Sequence, residues 1–136
     1  RVSTTFVRVH PEDWPAVKHG VKTEFRGGRG ASSQTFNLEP PTPVVAYARL
    51  GPDDYAAQLM VLTETWQEPL GAIGPESLAR EGFEDFASFR RYWVLRERKR
   101  FQQTRMVFVY RMRMWEPTDH QELGGAMIDR LYGEWL

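Results

Sequence analysis

Cysteine is absent from the 136 residues. Its absence excludes a disulfide framework, a zinc site built on thiolates and a thiol nucleophile. Histidine is scarce: His10, His19 and His120 are scattered without metal-ligand spacing, so no metal site is expected. No apolar run approaches the roughly 20 residues that cross a bilayer, and no charged-then-apolar leader opens the chain. No membrane partner is therefore expected, and a cytoplasmic location is the default, although a start at Arg1 leaves room for a processed leader. No motif asks for a cofactor. The "GGRG" at 27–30 lacks the GK[ST] ending and following helix of a phosphate loop, and reads as a flexible loop or a flap.

Net charge is lacking too, because 18 basic and 18 acidic residues cancel. The sum hides an asymmetry. Arg90, Arg91, Arg96, Arg98, Lys99, Arg100, Arg105, Arg111 and Arg113 are opposed in their window only by Glu97, which would give a local positive field that a net count misses. A hydrophobic share of 41% in a chain of this length suits one domain with a real core. Residues 1–117 carry the domain-like patterning and 118–136 read as a C-terminal tail.

"TTFVRV" (4–9) is β-branched and aromatic and predicts an opening strand; Glu12 or Asp13 then offers a cap and Pro15 a first turn for a short helix ending at Gly20. "VKTEFR" (21–26) predicts a strand that puts Lys22, Glu24 and Arg26 on one face. "VVAYARL" and "QLMVLTET", joined through "GPDD", predict neighbouring antiparallel strands. A short helix is expected over Pro75–Arg80 with a break at Gly82, and a longer one from Phe83 or Phe86 into the basic run, its apolar stripe made by Phe83, Phe86, Phe89 and Trp93. "TRMVFVYRMRMW" returns to period two. It predicts a strand with Met106, Phe108, Tyr110, Met112 and Met114 on a core face, and Val107, Val109 and arginines on the other. In the tail, Met127, Ile128, Leu131 and Trp135 predict an amphipathic helix that packs on the domain or contacts a partner, a second copy of the chain included. The whole pattern predicts an α+β domain, a strongly curved sheet or small barrel covered by helices.

The order of these pieces resembles the ASCH domain, a branch of the PUA-like superfamily. The residues that carry the resemblance are Gly20, Lys22, Thr23, Glu24 and Arg26; then Pro69, Leu70 and Ile73; then the triplet Glu81, Gly82 and Phe83; then Phe89, Tyr92 and Trp93. They lie between residues 4 and about 115. The resemblance implies a small mixed β-barrel flanked by helices, with a cleft for a base, a nucleoside or a nucleic-acid strand. RNA, single-stranded nucleic acid or a nucleoside is the implied partner. It also implies, from some small members, an amidohydrolase that removes an acyl group from modified cytidine, or a ribonuclease. In the amidohydrolase branch a lysine, a threonine and a glutamate act together. Lys22 and Glu81 match the first and last. Counting back from Arg26 puts Glu24 at the threonine position and counting forward from Lys22 puts Phe25 there, so Thr23 is the nearby substitute.

The residue types suit such a cleft. Lys22 becomes a base only if burial disfavours its ammonium; otherwise Lys22, Glu24 and Arg26 form an ion-pair ladder. Arg26 offers the paired donors that phosphate or carboxylate recognition uses, or bridges to Glu24 or Glu81 and presets the site. Glu81 would accept from a base edge or act as an acid. Arg91, Arg98, Lys99 and Arg100 would track a phosphate backbone, with Tyr92, Trp66 or Trp14 as stacking platforms, while Trp93 falls in the apolar stripe and reads as core. The expected function is binding of RNA, nucleotide or single-stranded nucleic acid around Lys22, Arg26 and Glu81. The alternatives are the deacylase, a nuclease, and an interaction module using Leu131 and Trp135.

Overall fold

The computed structural model describes residues 5–27 and 38–123. Five strands, β1 (Phe6–Arg8), β2 (Glu24–Gly27), β3 (Thr42–Gly51), β4 (Asp54–Pro69) and β5 (Met106–Met114), form one sheet in the order β1-β3-β4-β5-β2. Among the described residues four α-helices accompany them: α1 (Trp14–Lys18), α2 (Pro75–Glu81), α3 (Phe86–Glu97) and α4 (Asp119–Glu122). None is long and apolar enough to cross a membrane.

The β3–β4 hairpin forms as the sequence predicts, antiparallel from Thr42 opposite Leu62 to Gly51 opposite Asp54. β4 is 16 residues long and serves two partners, β3 with its first half and β5 with its second. A register shift between Leu62 and Glu64 lies where β4 passes from one to the other, and such irregularities bend a strand and sharpen its twist.

The sheet does not close into the barrel that the sequence led us to expect. The three-residue β1 pairs in parallel with β3 alone, and the four-residue β2 pairs with β5 alone. Among the described residues no ladder joins these two edges. Both strands are short, and β1 gives way at once to the turn Pro11–Asp13, whose proline offers no backbone donor to a ladder.

β5 also departs from expectation, because both of its faces are core. Tyr110 and Met112 pack with Val7, Trp14, Val44, Met60 and Leu62 on one side. Val107 and Val109 pack with Leu70, Leu78, Phe89 and Trp93, from α2, α3 and the turn before them, on the other. A strand covered on both sides buries continuous apolar residues rather than alternate ones. Met106 and Met114, at the two ends, are exposed.

α2 starts with Pro75 at its first turn and stops at Gly82, whose left-handed φ of 94° suits glycine. In α3, Asp85 caps by accepting from Ser88 N at 2.7 Å, and Phe89 and Trp93 are buried as the stripe predicts. Phe83 precedes the helix and stacks edge-on against Phe89. α4, the first turn of the tail, is tied back to the domain: Asp119 accepts two hydrogen bonds at 2.7 Å from Arg113, and Leu123 packs on Val45 and Leu59 beside Trp115. The expected tail helix, with Met127, Ile128, Leu131 and Trp135, lies outside the described residues; of the "GGRG" read as a loop, Gly27 ends β2 instead and 28–30 lie outside them as well.

Candidate functional site

β2 begins at Glu24, so Lys22 and Thr23 form the approach to the strand rather than part of it. Three backbone hydrogen bonds pin that approach: Lys22 N to Ala16 O at 3.1 Å, Thr23 N to Arg80 O at 2.8 Å, and Met112 N to Thr23 O at 2.9 Å. Held there, Lys22 reaches the C-terminal end of α2. Its Nζ donates to Glu81 Oε1 at 2.6 Å and to the Glu81 carbonyl at 3.0 Å. The same ammonium stands 5.1 Å from the ring centre of Phe25 and 5.9 Å from those of Phe83 and Tyr92, close enough for the negative faces of the rings to offset lost hydration.

Glu81 joins this pair to a larger network. Arg26 donates to Glu81 Oε2 at 3.1 Å, to Glu68 at 2.5 Å and to Glu24 in a very short contact. Glu24, wholly buried, also accepts from Arg111 Nε at 2.7 Å, and Arg111 reaches Glu64 at 3.2 Å. Lys22, Glu24 and Arg26 thus belong to one network, and both bridges considered for Arg26 are made.

Lys22, Arg26 and Arg111 face Glu24, Glu64, Glu68 and Glu81, three cations to four carboxylates, so one carboxylate is in excess. Burial pushes the Glu81 carboxyl above its ordinary range in spite of Lys22 and Arg26, which pull it down. Glu81 is thereby the member of the network most ready to hold a proton. Burial would raise Glu24 also, but hydrogen bonds from Arg111 and Arg26 outweigh it and hold that carboxyl low.

The network forms one wall of a cavity of about 300 Å³. Residues of both unpaired sheet edges line it, Arg8, Val9 and His10 at the end of β1, and Phe25, Arg26 and Gly27 in β2. Lys22, Glu81, Phe89, Tyr92, Trp93, Arg96, Glu97 and Tyr110 complete the lining with Pro11 and Asp13. The seam that a barrel would have sealed is therefore the opening of the site. α3 is moored across it by Asp13, which accepts from the Tyr92 hydroxyl and from Arg96, both at 2.6 Å. Burial, then the hydrogen bond to Asp13, raises the Tyr92 phenol, and burial raises Tyr110, so both stay neutral donors. Two buried donors of lining residues, Arg26 Nε and Trp93 Nε1, have no hydrogen-bond partner.

Of the residues singled out in the sequence, Lys22, Arg26, Glu81 and Tyr92 meet at the cavity, with Glu24 buried behind them. Thr23, half-buried, does not line it. Arg91, Arg98, Lys99 and Arg100 are exposed outside it, the last three directly after the lining residue Glu97. Trp14 is core, and Trp66 lies under Arg111, 4.8 Å from its ring centre. Sequence reasoning missed Arg8, His10, Asp13 and Arg96 as members of the site. His10 Nδ1 accepts from Glu12 N at 3.2 Å. Only the pairing of β1 with β3 brings this segment to the cavity, and no local pattern encodes it. Among the described residues no group of three His, Asp or Glu could hold a metal ion.

Comparison of the sequence with protein-family models and with curated proteins finds no match. Comparison of the fold does. It is similar to the crystal structure of an ASCH domain from Lactobacillus crispatus JV V101, with a TM-score of 0.57 and 13% identity over 80% of this chain and 79% of that one. A protein of Enterococcus faecalis V583 assigned to the DUF984 family superposes with a TM-score of 0.48 and 15% identity, over 81% of this chain and 71% of that one. The fold of this chain is ASCH-like, as the order of its motifs implied.

Proposed function

We propose that the cavity between β1, β2 and α3 binds one nucleobase-bearing unit, a nucleotide or a residue of RNA or other single-stranded nucleic acid. The observation that carries this reading is the cavity itself: its size is at the lower end of ligand pockets, and aromatic surface meets a few convergent polar groups there. Tyr92 and Phe25 supply π-faces, Lys22 and Tyr110 supply donors, and Glu81 accepts from a base edge when ionised or donates when protonated. Arg8 and Arg96, at the lining, suit a phosphate. The ASCH-like fold agrees with a nucleic-acid-related role. Titration calorimetry with the four ribonucleoside monophosphates tests it. At least one should bind, and Glu81→Gln, which keeps the size of the side chain but removes its charge, should weaken that binding about tenfold or more, the scale of a charged hydrogen bond.

A second reading, hydrolysis of an acyl group from a modified cytidine, draws on the 2.6 Å contact between Lys22 and Glu81 and on the raised Glu81 carboxyl. Thr23 does not line the cavity, so the nucleophile would be a water: the proton shared by the pair must first pass from Lys22 to Glu81, after which the neutral amine takes the proton of the water that attacks the acyl carbon, and the Glu81 acid protonates the departing cytidine nitrogen. Release of acetate from N4-acetylcytidine, lost in Lys22→Ala, would move the site to this reading. Binding without turnover supports the first.

A further inference from the structure

α2 and α3 end in the same way, each with a left-handed residue whose N–H turns back into the last turn, but with different residues there. α2 ends in Gly82 with φ 94°, the usual choice. α3 ends in Arg98 with φ 53°, and Arg98 is the only residue other than glycine with positive φ among those described. An arginine in that conformation is strained relative to glycine, and strain that persists points to a use for the side chain.

The side chains of Arg98, Lys99 and Arg100 are all exposed and make no ion pair or hydrogen bond among the described residues, although the Arg98 backbone N–H donates to Val94 O at 2.9 Å. Cations at a helix C-terminus stabilise it through the dipole. That accounts for the charge but not for an arginine in place of glycine, since Lys99 and Arg100 already supply it. The run begins one residue beyond Glu97, which with Arg96 lines the cavity. A ligand leaving the cavity along the end of α3 would meet three cations whose side chains have no partner among the described residues.

We propose that the ligand is a single-stranded nucleic acid several nucleotides long, with one base in the cavity and the adjoining phosphates passing over Arg98, Lys99 and Arg100. This rests on the base-binding reading of the cavity and narrows it from nucleotides in general to strands.

The test compares the four ribonucleoside monophosphates with random-sequence octamers of RNA and of DNA, across a range of salt, for the parent, for Arg98→Gly and for a triple variant Arg98→Gly, Lys99→Ser, Arg100→Ser. The octamer should bind at least tenfold more tightly than the best mononucleotide at about 50 mM salt, with a salt slope steeper by about 2 for three phosphate contacts. Arg98→Gly should melt no lower than the parent yet lose part of the octamer's advantage, and the triple variant should lose the advantage and the extra slope. A purely structural arginine would give the same thermal result with unchanged octamer binding, and that result would overturn the proposal. Mononucleotide binding with no gain from length would overturn it as well and leave the cavity reading standing. Absence of binding by every probe would overturn both.

Discussion

Glu24 is the most committed residue in the molecule, wholly buried between Arg26 and Arg111. Removing one partner from a buried ionic group leaves its counterparts uncompensated, and Glu24→Ala should cost about 3–5 kcal/mol in urea unfolding. Its lowered pKa contributes stability that is present above the unfolded value near 4.5 and is lost as pH falls through the folded one. Glu81 runs the other way. Its folded pKa is raised, so the folded protein holds that proton more tightly than the unfolded chain, and ionising it costs stability as pH climbs from about 4.5 through the folded pKa. Glu81→Gln should accordingly flatten the decline of stability on that side, measured as unfolding midpoint against pH. That Lys22, Arg26 and Glu81 come together was legible in the sequence, because the order Lys-Thr-Glu-x-Arg and the Glu-Gly-Phe triplet survive translation into space. Asp13 was legible only as a helix cap, whereas it anchors Tyr92 and Arg96 across 79 and 83 residues.

Among the elements, helices and the β3–β4 hairpin follow from local signals: a proline at the first turn, glycine at the stop, an apolar stripe, a turn between two alternating runs. β5 misled because alternation cannot distinguish a strand with one wet face from one whose second face, Val107 and Val109, is covered by α2 and α3. The turn before α2 makes a packing prediction. A Cβ on Gly71 would stand 2.7 Å from Gln103 Cβ and 3.1 Å from Gln103 Cα, too near the backbone for a side chain to swing away. Gly71→Ala should therefore destabilise by about 1–3 kcal/mol, the range of overpacked sites, in the same urea assay. At α4, hydrogen bonds from Arg113 hold the Asp119 carboxyl down to about 2. Its contribution is complete above 3.8 and lost as pH falls toward 2, and the Trp115 indole signal, beside Leu123 on Val45 and Leu59, should shift over that interval in NMR spectra.

On the scale of the whole molecule, the described residues leave the sheet open between β1 and β2, and the cavity lies at that opening. A barrel expectation drawn from curved strands could not show this, because closure depends on whether two short edges meet, and no alternation pattern reports on edges. The ion network behind the opening fixes one wall and α3, moored by Asp13, fixes the other. In the function proposed above this seam takes a nucleobase, and that reading is open to direct measurement. It is tested most directly by backbone and indole NMR of the protein titrated with ribonucleoside monophosphates and with the octamers. Shifts should gather at Lys22, Phe25, Arg26, Glu81, Tyr92 and Trp93 with both probes, and extend to residues 98–100 with the octamers alone. Shifts confined to exposed cations, with the cavity residues unmoved, would contradict it.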